Sequence, residues 1–154
     1  MGKIKFTDNS GTFVIENPEN YSGLYLPLAG EKELKSSITP TLAGDSKTDQ
    51  NHFLFEPVSI ENLHNNKNGR NFWCLINGSN MWSVSGASAM QEAEKFSKEQ
   101  DESKIEAGLM WQKLTRVSKK FGIRAEVLSF VPVDENIEIM YVTLKNISDN
   151  DIDI

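Results

Sequence analysis

Cysteine is almost missing from this sequence. Its single representative, Cys74, has no partner for an internal disulfide, so no covalent framework can hold the fold. The residue lies in the apolar run Phe72–Ile76, the setting of an inert core thiol. Histidine is scarce as well. His52 and His64 stand far apart, each without a cysteine or second histidine nearby, a spacing unlike that of zinc sites, so no metal and no cofactor is expected. Neither a GxGxxG nor a GxxxxGK[ST] phosphate cradle occurs, and there is no GxSxG nucleophile elbow. The 16 basic residues are outnumbered by 22 acidic ones, giving a formal net charge of -6. The longest basic run is Lys119-Lys120, too short to replace counterions along phosphates, which excludes a nucleic-acid partner. No stretch approaches the roughly 20 apolar residues that span a bilayer, and Met1–Phe6 has no apolar signal core. No membrane partner and a cytoplasmic setting are therefore expected, in which the sequons at Asn20, Asn77 and Asn146 have no consequence.

What is present reads as a folded, mainly β chain. At 154 residues, with 38% hydrophobic and 25% charged residues, it is long enough for one domain with a core. Lys3–Phe6 and Thr12–Glu16 are β-rich runs around a turn-prone loop and predict an opening hairpin. Leu24–Leu28, interrupted by Pro27, predicts an edge strand or a packed irregular segment. Ser36–Gln50, SSITPTLAGDSKTDQ, has few large apolar groups and no clear period, and predicts a long ordered loop or a set of short bridges. His52–Phe55 and Pro57–Ile60 are apolar, and Asn62–Asn71 reads as loop. Strand character returns at Phe72–Ile76, Met81–Val84, Leu109–Val117, Ile123–Val133 and Ile137–Leu144. The last two predict a hairpin around Val133–Asn136. Both faces of its second strand look apolar, as they would be if both were covered. Ser88–Gln100 is rich in helix formers, and Ala89, Ala93 and Phe96 recur at i, i+4, i+7, predicting one short amphipathic helix. The charged run Glu92–Glu106 then forms its wet face and an exit loop. The fold class is an antiparallel β-sandwich with one helix.

Candidate chemistry is thin. Carboxylates are plentiful, but none sits in an apolar setting that would raise a pKa for acid catalysis. No catalytic residue is assigned. Aromatic side chains offer a different chemistry, because sugar rings stack on Trp and Tyr while their hydroxyls bond polar side chains. Trp73 and Trp82 flank the turn Asn77–Asn80, Arg70 and Asn71 precede it, and Asp45 closes the LAGD stretch. These five are the candidate carbohydrate-binding residues. The blander readings are core packing for the tryptophans and a turn for Asp45.

Several stretches together resemble a known family: LYLPLA from Leu24, SSITPTLAGDSKTDQNHFLFEPVS, ENLHNNKNGRNFW, MWSVSG, and EAGLMWQKLTRVSKKFGIRAEVLSFVPVDENIEIMYVTLKNIS. They look like the N-terminal domain of inverting disaccharide and oligosaccharide phosphorylases, the cellobiose phosphorylase group of glycosyltransferase family 36 or glycoside hydrolase family 94. TPTLAGD and RNFW look closest to β-1,2-oligoglucan phosphorylases. The resemblance implies a large β-sandwich followed, in the whole enzyme, by a helical linker and an (α/α)6 barrel that carries catalysis. It implies cleavage of a β-glucosidic bond in a β-linked gluco-oligosaccharide, with inorganic phosphate as co-substrate and α-glucose 1-phosphate as product. It also implies a homodimer in which this domain lies near the neighbour's cleft. No residue of this chain matches the family's proton-donating aspartate.

The final stretch LKNISDNDIDI restarts an alternation at Ile152 and Ile154, as if a further strand were beginning. The expectation is a single domain over residues 1–154 that is a truncated part of a longer enzyme. Its function would be non-catalytic, shaping a substrate entrance and aiding dimerisation. A free-standing carbohydrate-binding sandwich and a purely structural dimerisation domain are the alternatives.

Overall fold

A computed structural model describes residues 4–21, 24–55 and 69–154. The Pro57–Ile60 run, His64 and most of the Asn62–Asn71 loop lie outside the described residues. Among those described, a six-stranded antiparallel sheet is built from β1 (Lys5–Phe6), β2 (Phe13–Glu16), β9 (Glu102–Gly108), β10 (Trp111–Ser118), β11 (Ile123–Phe130) and β12 (Ile139–Asn146), in that spatial order. Facing it are a four-stranded sheet, β3 (Leu26–Ala29), β4 (Lys35–Ile38), β5 (Gly44–Lys47) and β6 (Phe53–Phe55), and a hairpin, β7 (Trp73–Ile76) with β8 (Asn80–Ser83). Leu28 and Ile38 from one layer, Ile76 and Trp82 from the hairpin, and Ile105, Leu114 and Val127 from the other layer join in one core. Each such buried side chain contributes roughly 1.5–3 kcal/mol of transfer free energy. No helix among the described residues is long and apolar enough to cross a membrane.

The opening hairpin forms as the sequence predicts, with Lys5 opposite Val14, and Leu24–Leu28 yields an edge strand. Several expectations are corrected. Ser36–Gln50 is not a loop: β4 and β5 pair in it, Ser36 opposite Ser46 and Ile38 opposite Gly44. Its period of two was hidden because three of its four inward positions, Ser36, Gly44 and Ser46, hold small residues, with Ile38 the exception. Those residues are needed, since a Cβ on Gly44 would lie 1.8 Å from the Ser37 carbonyl oxygen. Leu42 turns the chain at φ 68 and is fully buried.

The second correction concerns the charged run. Glu102–Gly108 is not an exit loop but the inner strand β9, with Ser103, Ile105 and Ala107 buried and Lys104 and Glu106 on the other face. Leu109 and Met110, expected to open a strand, instead make the two-residue turn from β9 to β10. The helix, α1 (Ala89–Glu94), is shorter than expected. Its start is fixed by a capping box in which Ser88 accepts from the Gln91 amide and the Gln91 side chain accepts from the Ser88 amide. Ala89, Ala93 and Phe96 all face solvent, and the inward residue is Gln91. The predicted apolar stripe is therefore on the wet side, and Phe96, at φ 68, ends the helix. Finally, β12 is not covered on both faces. Met140, Val142 and Leu144 pack on the core while Tyr141 is 64% exposed.

A buried arginine holds the layers together on the β9–β10 side. Arg116 points inward from β10; its Nε donates to the Val84 carbonyl at 2.8 Å and its Nη2 bonds Glu19, which also accepts from Ser103 Oγ. Glu19 lies in a 3-10 turn over Pro18–Asn20, so one ion pair ties that turn, β9, β10 and the segment after β8. Both side chains are under a tenth exposed. Breaking such a pair leaves a stranded charge, whereas an exposed pair contributes little. Arg116→Ala is expected to lower unfolding free energy by about 3–5 kcal/mol. Lys119→Ala, which loses an exposed pair with Glu102, should cost no more than about 1 kcal/mol. Urea unfolding followed by circular dichroism measures both, and equal losses would contradict this arrangement.

Candidate functional site

The five candidate residues divide between two places. Asp45, Arg70 and Asn71 gather where β5 meets the start of the hairpin segment. Trp73 and Trp82 belong to the hairpin itself but point to opposite sides of it. The register puts Trp73 opposite Ser83 and Trp82 opposite Cys74, so strand parity separates the two rings. Trp82 is fully buried, and its indole N–H donates to Asp101 at 2.8 Å. It has no open face. Trp73 is 46% exposed and lies on the outer face with Leu75 and Met81, which are register partners there. Trp111 is half-buried on the outer face of β10, and its ring lies over Gly108, where a Cβ would meet it at 2.5 Å.

Arg70 is 6% exposed. Its Nε and Nη2 form a two-pronged pair with Glu138, the second contact at 2.7 Å, and Nη2 also donates to the Asp45 backbone carbonyl at 3.0 Å. The guanidinium carbon stands 4.9 Å from the centre of the Phe55 ring. Glu138 in turn accepts from Ser36 Oγ at 2.5 Å, and Ser36 bonds Ser46 at 3.0 Å. Asn71 is committed to local backbone geometry, its Oδ1 accepting from the Phe72 amide at 2.9 Å and from Ser83 Oγ at 2.8 Å. Asp45 contributes its carbonyl to Arg70 and its charge to Tyr25. Burial, and then that charge, raise the Tyr25 hydroxyl above its ordinary value of 10.0. This corner is a fastening between β5, β6 and the approach to β12.

Glu138 was missed at the sequence level, although a signal exists. It shares strand parity with Met140, Val142 and Leu144, so a carboxylate on the core-facing side of an apolar strand called for a buried cation. Cys74 is 2% exposed, and burial pushes its thiol pKa up, as expected of an inert thiol. His52 is exposed and lies 2.5 Å from Asp49. Among the described residues, no group of three or more His, Cys, Asp or Glu side chains is placed to hold a metal. A cavity of about 410 Å³ beside the exit of α1 is lined by Lys98, Glu99, Glu102, Lys119 and Lys120. Its charges largely neutralise one another, Lys119 with Glu102 and Lys120 with Glu94, so it has no cationic focus.

These layers match a described architecture. Residues 30–154 fit the family described as glycosyl hydrolase 94, supersandwich domain. The chain belongs to this family. No curated protein matches it in sequence. In this supersandwich domain the Arg70 corner is buried and Trp73 keeps an exposed ring.

Two measurements follow. Iodide should quench the fluorescence of the native chain, and Trp73→Phe should remove most of that quenchable fraction; undiminished quenching would place another tryptophan at the surface. The Tyr25 shift stabilises the fold below pH 10.0 and is lost as pH rises through the higher folded value. Asp45→Asn should bring the late phenolate absorbance step down in pH, and an unmoved step would deny the charge contribution.

Proposed function

We propose that this chain is the non-catalytic sandwich portion of an inverting glycoside phosphorylase. The parent enzyme uses inorganic phosphate to cleave a β-glucosidic bond and yields α-glucose 1-phosphate. The observation that carries this reading is the family match over residues 30–154. The TPTLAGD and RNFW stretches favour a β-1,2-linked gluco-oligosaccharide as substrate. The chain's own part is to present surfaces: one that borders the substrate entrance and one through which copies associate into a homodimer. The cytoplasm suits a protein whose lone thiol is buried and unoxidised.

Of the five candidate sugar contacts, Trp73 is the one whose ring is open to a pyranose face, with Leu75 and Met81 extending the apolar platform. Arg70 and Asn71 support this side of the molecule through their hydrogen bonds and do not themselves reach outward. The exposure of Trp73 also favours a second reading, a carbohydrate-binding sandwich that works without a barrel.

Incubating the purified chain with β-linked gluco-oligosaccharides and inorganic phosphate should release no α-glucose 1-phosphate; release would overturn the non-catalytic reading. Titration of β-1,2-linked gluco-oligosaccharide should perturb tryptophan fluorescence, and Trp73→Ala should weaken that binding by about tenfold, near 1.4 kcal/mol. Unchanged affinity in the variant would remove Trp73 from the contact surface.

A further inference from the structure

The turn between β7 and β8 sets two reactive groups side by side. The Ser79 amide donates to the Ile76 carbonyl at 3.3 Å, and the two residues between, Asn77 and Gly78, both have positive φ, 50 and 66. Asparagine and glycine are residues that tolerate such a turn. They also place a side-chain amide carbon next to a main-chain nitrogen that no side chain shields. Both residues are exposed, and nothing lies within 4 Å of the place where a Cβ on Gly78 would stand. Among the described residues no group accepts from the Gly78 amide. The Asn77 side chain, in contrast, is held. Its Oδ1 accepts from the Asp153 amide at 3.2 Å, and the Asn77 amide donates to the Asp153 carbonyl at 2.9 Å. That clasp is anchored from the other side, because Ile152 packs against the core. Asn80 and Asn146 differ, since the larger residues Met81 and Ile147 follow them.

We propose that Asn77 is a site of spontaneous deamidation, assisted by the main-chain N–H of Asp153. The Gly78 nitrogen gives its proton to hydroxide and forms a bond to Asn77 Cγ. Negative charge develops on Oδ1, where the Asp153 amide already donates, and a fixed donor at a developing oxyanion lowers the barrier. The bond from Cγ to Nδ2 then breaks, and the nitrogen takes up a proton from water and leaves as ammonia. Water opens the resulting cyclic imide at one or the other carbonyl, giving aspartate or isoaspartate. One water is consumed and one ammonia released. Either product adds a negative charge beside Asp153. Isoaspartate also lengthens the main chain inside the turn, so the acceptor no longer stands where the Asp153 amide meets it. The clasp between the hairpin and the segment after β12 is thereby loosened as the molecule ages.

The test incubates the whole chain at mildly alkaline pH in heavy-oxygen water, with and without urea, and follows residue 77 by peptide mapping and mass spectrometry. Mapping separates it from Asn68, which also precedes a glycine and lies outside the described residues. In the folded chain Asn77 should convert at least as fast as in urea, with one heavy oxygen taken up, because the fold supplies the donor and leaves the nucleophile open. Slower conversion in the folded chain would mean that the turn protects Asn77, and overturns the proposal. Asp153→Pro removes the N–H and should slow conversion several-fold in the folded state while leaving the rate in urea unchanged. Asp153→Ala, at the same exposed position, keeps the N–H and should convert like the parent. A proline variant that keeps the parent's rate, or an alanine variant slowed as much as the proline one, overturns the role of the Asp153 amide. Amide exchange at residues 152–154 should be faster in the converted chain than in the fresh one. Unchanged exchange there overturns the loosening of the clasp.

Discussion

The guanidinium of Arg70 is taken almost wholly out of water, and the geometry around it is what makes that tolerable. An ion moved from water to a protein interior loses several kcal/mol of solvation, which is recovered only when an opposite charge and further hydrogen bonds surround it. Here Glu138 supplies the charge with two contacts, the Asp45 carbonyl accepts a further hydrogen bond, and the Phe55 ring covers the guanidinium. Each partner comes from a different part of the fold: β5, β6 and the residue just before β12. The interaction cannot form unless the four-stranded sheet and the β12 end of the six-stranded sheet are in place together. The neighbouring contacts agree, since Asn136 accepts from the Glu33 and Leu34 amides and the Val133 carbonyl from the Glu31 amide.

The Arg116–Glu19 pair does the same work on the β9–β10 side, and between the two pairs the apolar core is closed. Inward positions are thereby given over to packing and to paired charge, and contact chemistry is left to outward positions. Trp82 and Trp73 illustrate the division. They lie on paired strands of one hairpin, yet one ring is sealed against the core with its N–H on Asp101 while the other stands on the surface. A domain organised this way spends its inward positions on holding the layers together and leaves its exposed faces for contact.

Much of this was legible in the sequence. Strong alternation in Ile123–Val133 and Ile137–Leu144 gave the β11–β12 hairpin directly, and the restart at Ile152 is matched by packing of that side chain on the core and by bonds joining Asp153 to Asn77. What stayed hidden did so for identifiable reasons. In β4 and β5 three of the four inward residues are serine or glycine, with Ile38 the exception, so a pattern based on large apolar groups sees little there. In β9 the outward charges masked the alternation of Ser103, Ile105 and Ala107. In α1 the stripe of alanines and Phe96 was real in sequence but tertiary context buried Gln91 instead, through its bonds to Ser83 and Asp101. Of the five candidate residues, which side of the hairpin each ring faces follows from register, and register is a property of the pairing rather than of either strand alone.

The account stands on the coupling of Arg70 to Glu138. A double-mutant cycle with Arg70→Met and Glu138→Gln, read by urea unfolding, measures it without counting the loss of each side chain's other contacts. A coupling free energy of about 2 kcal/mol or more is predicted for a charge pair so enclosed. A value near zero, with the two losses simply adding, would mean that the sheets hold their places without this pair and would contradict the account at its centre.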